Sequence, residues 1–168
     1  MNDEGGVVER EIFIAAMPEV VFDFLIDPAL MAQWIGLFHK LEARPGGLFQ
    51  VEVSRGNVAR GVYTEVTPPR RVAFTWGWDS QDPTLAMLPP GTSLVEIELE
   101  SKDGGTLLRL RHSRLPEATS TIHGERWSAY LGRLEAVARQ GSRGRARRWG
   151  CRFGEQTKIK WCKLSRKG

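Results

Sequence analysis

The chain is short of the residues that anchor the commonest metal and redox chemistries. Of its 168 residues, 2 are Cys and 3 are His. Cys151 and Cys162 both lie near the C-terminus with no histidine beside them. That is a poor zinc signature, and free thiols are the simpler reading. His39, His112 and His123 come from separate stretches with no His-x-x-x-His pairing on one helix, so no metal site is expected. No apolar run reaches the 18 residues or so of a membrane-spanning helix. The first residues, MNDEGG, are acidic and lack the positive-then-apolar order of a secretory signal, so a cytoplasmic location is expected. There is no Gly-x-Ser-x-Gly, no Cys–His pair in a plausible context and no phosphate loop. Their absence removes the familiar hydrolase and nucleotide-binding signatures, and no cofactor is expected. Gly46-Gly47 and Gly104-Gly105 read as turn glycines.

Acidic residues are also nearly absent from the end of the chain. Residues 1–140 carry 14 Lys+Arg against 19 Asp+Glu, a net of −5, whereas residues 141–168 carry 10 against 1, a net of +9. The overall charge of +4 therefore conceals an acidic body and a basic tail. The tail interleaves Trp149, Phe153 and Trp161 with its cations, densest at Arg143, Arg145, Arg147 and Arg148. Such a stretch suits nucleic acid or an anionic membrane surface. The competing expectation is a disordered or atypical extension with no such role, because periodicity stops after Gln140.

What is present is a clear alternation of periods. Residues 7–14 read as a first strand. Pro18 and Glu19 suit the first turn of a helix, and Val21, Phe24 and Leu25 supply its buried stripe. Asp27 can cap a second helix that Pro28 opens, running through Leu30, Met31 and Trp34 to Gly36. The period then becomes two. Phe49, Val51 and Val53 share one face, as do Val72, Phe74, Trp76 and Trp78; Val62 and Tyr63 leave the inward face of 58–66 ambiguous. Val95, Ile97 and Leu99 alternate with Glu96, Glu98 and Glu100, and Asp103-Gly104-Gly105 signals a hairpin into Thr106, Leu108, Leu110 and His112. A last helix over about 117–139 carries the stripe His123, Trp127, Tyr130, Leu131, Leu134 and Val137 or Ala138. The implied fold is α+β: a curved antiparallel sheet of about six to seven strands around a long C-terminal helix, with two short helices after strand 1.

Several stretches carry a family likeness: MPEVVFDFLIDPALMAQWIG, ARPGGLFQVEV, ARGVYTEVTPPRRVAFTWGW, GTSLVEIELE, GGTLLRLRHSRLP and GERWSAYLGRLEAVA. In their order they resemble the START-like, or Bet v 1-like, helix-grip proteins of the SRPBCC superfamily. The resemblance is closest to the bacterial branch related to the activator of Hsp90 ATPase. It covers about residues 8–139, so 1–140 is expected to be one helix-grip domain and 141–168 a tail without counterpart. It implies a cavity between sheet and long helix, and a small hydrophobic molecule as partner.

Nine residues are candidates for that cavity: Trp34, His39, Tyr63, Trp76, Trp78, His112, His123, Trp127 and Tyr130. Strand and helix periods direct several of them to the buried side. Pocket wall and plain core remain alternatives, since burying one Trp or Tyr removes roughly 150–250 Å² from water. A cyclase- or hydrolase-type enzyme would use His112, His123 or Tyr63 as acid or base. A chaperone-associated interaction module is the third reading, disfavoured because 168 residues leave no room for the further N-terminal domain of such co-chaperones. A homodimer is the remaining partner expectation.

Overall fold

The structure, a computed structural model, describes residues 5–148, with side chains described as far as residue 141. Its elements in chain order are β1 (Gly6–Ile14), α1 (Pro18–Ile26), α2 (Pro28–Met31), β2 (Phe38–Leu41), β3 (Leu48–Ser54), β4 (Asn57–Thr67), β5 (Arg71–Trp76), β6 (Trp78–Asp79), β7 (Ser93–Lys102), β8 (Gly105–Leu115) and α3 (Glu117–Arg148). The strands form one antiparallel sheet in the order β1-β8-β7-β5-β4-β3-β2, with the short β6 alongside β4. The sheet curves around α3, whose inner stripe joins the core; α3 packs over β1, and α1 packs on α3 near Gly141.

Local chemistry explains the joints. Pro18 opens α1 at its first turn, where no N–H is needed, with Glu19 beside it. The Asp27 carboxylate accepts from the backbone N–H groups of Ala29 (2.8 Å) and Leu30 (3.2 Å), a cap of about 1 kcal/mol. α2 is shorter than its sequence pattern suggests and ends at Met31; hydrogen-bonded turns carry the chain to Trp34 and Ile35. The β7–β8 hairpin turns through Asp103 (φ 49°) and Gly104 (φ 76°), the two positive dihedrals its tight turn demands.

Two differences from the sequence pattern matter. Trp76 and Trp78 do not share one continuous strand. β5 ends at Trp76, pairing with Ser93 of β7, while Trp78 pairs with Ala59 of β4. Gly77 makes the break possible: a Cβ there would lie 1.7 Å from the Pro89 carbonyl oxygen. The second difference is α3, which runs nine residues beyond the expected end at 139. Arg143, Arg145, Arg147 and Arg148 therefore start as part of a helix, and the rest of the tail, with Cys151 and Cys162, lies outside the described residues.

The ambiguity on β4 resolves cleanly. Tyr63 is fully buried and Val62 is exposed. A shift of register between Tyr63 and Glu65 accompanies this choice.

Candidate functional site

The inner stripe of α3 meets the sheet in two dissimilar halves. Toward its C-terminal end the stripe is Leu131, Leu134 and Ala138, all buried in the hydrophobic core. Toward its N-terminal end His123 and Trp127 meet Trp76, Trp78 and His112 of the sheet. Trp76 and Trp78 stand edge to face at 5.3 Å, and Trp76 and Trp127 are tilted at 5.5 Å. The rings of His112 and His123 meet at 5.3 Å and 87°. Tyr130 continues the series against Trp127 at 5.8 Å. Phe49 and Phe74, stacked at 4.0 Å, extend the aromatic wall toward Tyr63.

Hydrogen bonding fixes each imidazole. An indole N–H only donates, so the ring nitrogen that receives it is unprotonated. Trp127 Nε1 donates to His112 Nδ1 at 3.0 Å, which places the His112 proton on Nε2. That N–H donates to Ser93 Oγ at 2.7 Å, and the Ser93 hydroxyl donates to the Trp76 carbonyl at 2.8 Å. His123 is the opposite tautomer: Trp78 Nε1 donates to its Nε2 at 3.1 Å, and its Nδ1–H donates to the Thr119 carbonyl at 2.8 Å. A second proton on either ring would set one N–H against another.

Burial works in the same direction. Desolvation, followed by the neighbouring His123, pushes His112 down to about 3. His123 is lowered by burial first and also by Arg126, against the raising effect of its bond to Thr119. Both imidazoles are therefore neutral at ordinary pH, with both nitrogens of each engaged. The Tyr63 hydroxyl donates to the Leu25 carbonyl at 3.3 Å, and burial raises it above the ordinary phenol range. The two flanking cations stay on the rim: the Arg126 guanidinium lies 5.5 Å from the Trp78 ring centre and Arg133 5.9 Å from that of Tyr130.

One donor is left out of this network. Among the described residues, Trp34, Trp78 and Trp127 each place the indole N–H on a partner, but Trp76 Nε1 is buried with none. Ser120 Oγ is also buried without a partner, packed where a Cβ of Gly6 would be, in the first turn of α3.

Of the nine sequence candidates, the structure brings Trp76, Trp78, His112, His123, Trp127 and Tyr130 together, with Tyr63 joined through Phe49. Trp34 and His39 lie elsewhere. Trp34 donates to the Phe24 carbonyl at 3.0 Å and fastens the end of α2 to α1. His39, on the edge strand β2, donates to the Ile35 carbonyl at 2.5 Å, and burial lowers its pKa despite that bond. Neither shares a ring contact or hydrogen bond with the cluster.

Sequence reasoning passed over Ser93 and Thr119. Ser93 was legible, being a polar residue in the inward register of Val95, Ile97 and Leu99. Residues 80–91 fold over β6: Leu85 and Leu88 are buried, Trp78 N–H donates to the Leu88 carbonyl at 2.7 Å, and Gly91 N–H to that of Arg60 at 3.1 Å.

The outer face of the sheet is different in kind. A groove of about 610 Å³ lies there among Glu9, Glu11, Arg71, Glu96, Glu98, Arg109 and Arg111. Its charges pair in rows across the strands, with Arg71 contacting Glu65, Glu96 and Glu98, and Arg109 contacting Glu11 and Glu100. Such half-exposed pairs stabilise little. Among the described residues no group of three or more His, Cys, Asp or Glu is placed to hold a metal, and no helix is long and apolar enough to cross a membrane.

A long helix held in a curved antiparallel sheet, with two short helices after the first strand, is the helix-grip class of α+β protein. Residues 15–139 match the family described as Activator of Hsp90 ATPase homolog 1-like protein, and the chain belongs to that family. An AHSA1-like protein from Rhizobium etli, solved by NMR, is 46% identical over 79% of this chain and 81% of that one, with a TM-score of 0.62. A protein from Mesorhizobium loti is 23% identical over 79% and 96%, with a TM-score of 0.69. The Aha1 dimer from Colwellia psychrerythraea is 19% identical over 80% and 96%, with a TM-score of 0.65. The latter two show the fold alone. A comparison with curated proteins found no match.

Proposed function

We propose that the protein binds one small, largely apolar molecule between the sheet and the N-terminal half of α3. The carrying observation is the gathering of three indoles and two neutral imidazoles at one end of the interior, where aliphatic side chains suffice at the other. Buried polar rings need partners and desolvation, whereas Leu and Val need neither. An aromatic wall with a few fixed polar atoms is the usual lining of a small-molecule site. Residues 80–91 are the route in. They are tied to β6 by the Trp78 N–H bond to the Leu88 carbonyl, and Leu85 and Leu88 join the core.

Catalysis is not part of this reading. His112 and His123 have no nitrogen free to take a proton from a bound molecule, and Tyr63 is engaged with Leu25. Equilibrium dialysis with fluorene, a flat hydrocarbon, tests the binding. One molecule per chain is expected, with affinity falling at least about tenfold in Trp127→Ala and unchanged in Arg109→Ala on the outer face. Absence of saturable binding, or its loss in Arg109→Ala, contradicts the proposal.

A further inference from the structure

We infer that the molecule held in this interior carries a neutral hydrogen-bond acceptor, such as a ketone, ester or amide oxygen, which takes the indole N–H of Trp76. The inference rests on the proposed binding site and says what its occupant must present there.

Trp76 is 1% exposed, and its Nε1 has no partner. The other three described indoles show that this fold does provide acceptors for its tryptophans: a carbonyl for Trp34, His123 for Trp78 and His112 for Trp127. A hydroxyl can rotate about its C–O bond, but an indole N–H points where its ring points. Leaving a buried donor unpaired is costly, so an atom that accepts from it is favoured there.

The surroundings select the kind of acceptor. Trp76 is ringed by Phe49, Phe74, Trp78, Trp127 and His112. Both His112 nitrogens are taken, by Trp127 and Ser93, so the ring offers neither a donor nor an acceptor to a newcomer. A ligand hydroxyl or amine would leave its own N–H or O–H unpaired. A carboxylate would enter without a counter-ion, because Arg126 and Arg133 lie on the rim against Trp78 and Tyr130. An uncharged oxygen on a flat, apolar skeleton fits every one of these conditions.

Fluorene and 9-fluorenone differ in one carbonyl and share a skeleton, so they form a matched pair of probes. The ratio of their dissociation constants is measured in the native protein and in Trp76→Phe, which keeps an aromatic ring but removes the donor. The cycle cancels the difference in hydrophobicity between the probes. The native protein should favour the ketone over the hydrocarbon about tenfold more strongly than Trp76→Phe does. An unchanged ratio, with both probes still bound, overturns this inference and leaves the binding site standing. Failure of the native protein to bind either probe overturns both. Should Trp76→Phe not fold, the native protein alone decides: fluorenone should move the Trp76 indole proton resonance downfield and fluorene should not. Equal movement by the two probes counts against the acceptor.

Discussion

The two halves of α3 face one sheet and are buried alike, yet they are built from opposite materials. Leu131, Leu134 and Ala138 are buried in the hydrophobic core and carry no polar side-chain atom. Earlier on the same stripe, His123, Trp127 and Tyr130 bring hydrogen-bonding groups to a buried place. The first half shows what stability alone requires of this fold. The second shows polar groups placed in fixed orientations where stability does not require them, with one donor left over. That surplus separates a core from a site.

Acid should break the polar half most strongly. The unfolded chain takes up a proton on His112 near the ordinary histidine value of 6.5, but the folded protein does so only near 3. The unfolded state thus binds more protons between those values, and stability falls as pH drops through them. The slope is about 1.4 kcal/mol per pH unit for one histidine, a total on the order of 4 kcal/mol, with His123 acting in the same direction. Urea titrations from pH 7 to 4 should show this slope in the native protein and lose about one proton of it in His112→Gln. A His112 ring that titrates near 6.5 by NMR in the folded protein contradicts the arrangement.

Leu134→Ala should strike the apolar half instead. Its side chain is fully buried, so the midpoint of chemical denaturation should fall by the equivalent of about 2–5 kcal/mol. Fluorene affinity should stay within about threefold of native, since Leu134 lies seven residues beyond Trp127, about two turns along α3. A large loss of binding at unchanged stability would merge the two halves into one site.

Ser93→Ala is the subtlest probe. It strands the His112 Nε2–H and removes the bond to the Trp76 carbonyl. The expected cost is about 1–3 kcal/mol. Because Trp127 still donates to Nδ1, the tautomer should hold, and the lost bond should show as a shift of the unpaired His112 Nε2 nitrogen. No change in either quantity would mean that Ser93 merely fills space.

Much of this contrast was legible in the sequence. Helical spacing placed His123, Trp127 and Leu134 on one stripe, and strand alternation placed His112 with Leu108 and Leu110, because side chains at those periods must share a face. What spacing cannot carry is the meeting of stripes across the interior. Trp34 and His39 looked equivalent to the others by residue type, but they lie on elements around α1, α2 and the β2 edge, where backbone carbonyls take their N–H groups. The break at Gly77 was hidden for a similar reason: it depends on the close approach of the Pro89 and Pro90 backbone, 12 and 13 positions away. The end of α3 was set too early because the stripe fades after Ala138 while the helix continues to Arg148.

The most direct measurement is an NMR titration of the native protein with fluorene, following the indole N–H groups and the methyl groups of α3 together. The indole resonances of Trp78 and Trp127 should shift and saturate, while the methyls of Leu134 and Ala138 stay in place. Equal shifts in both halves of α3, or shifts confined to the charged outer face around Arg109, would contradict a binding site at the polar end of the grip.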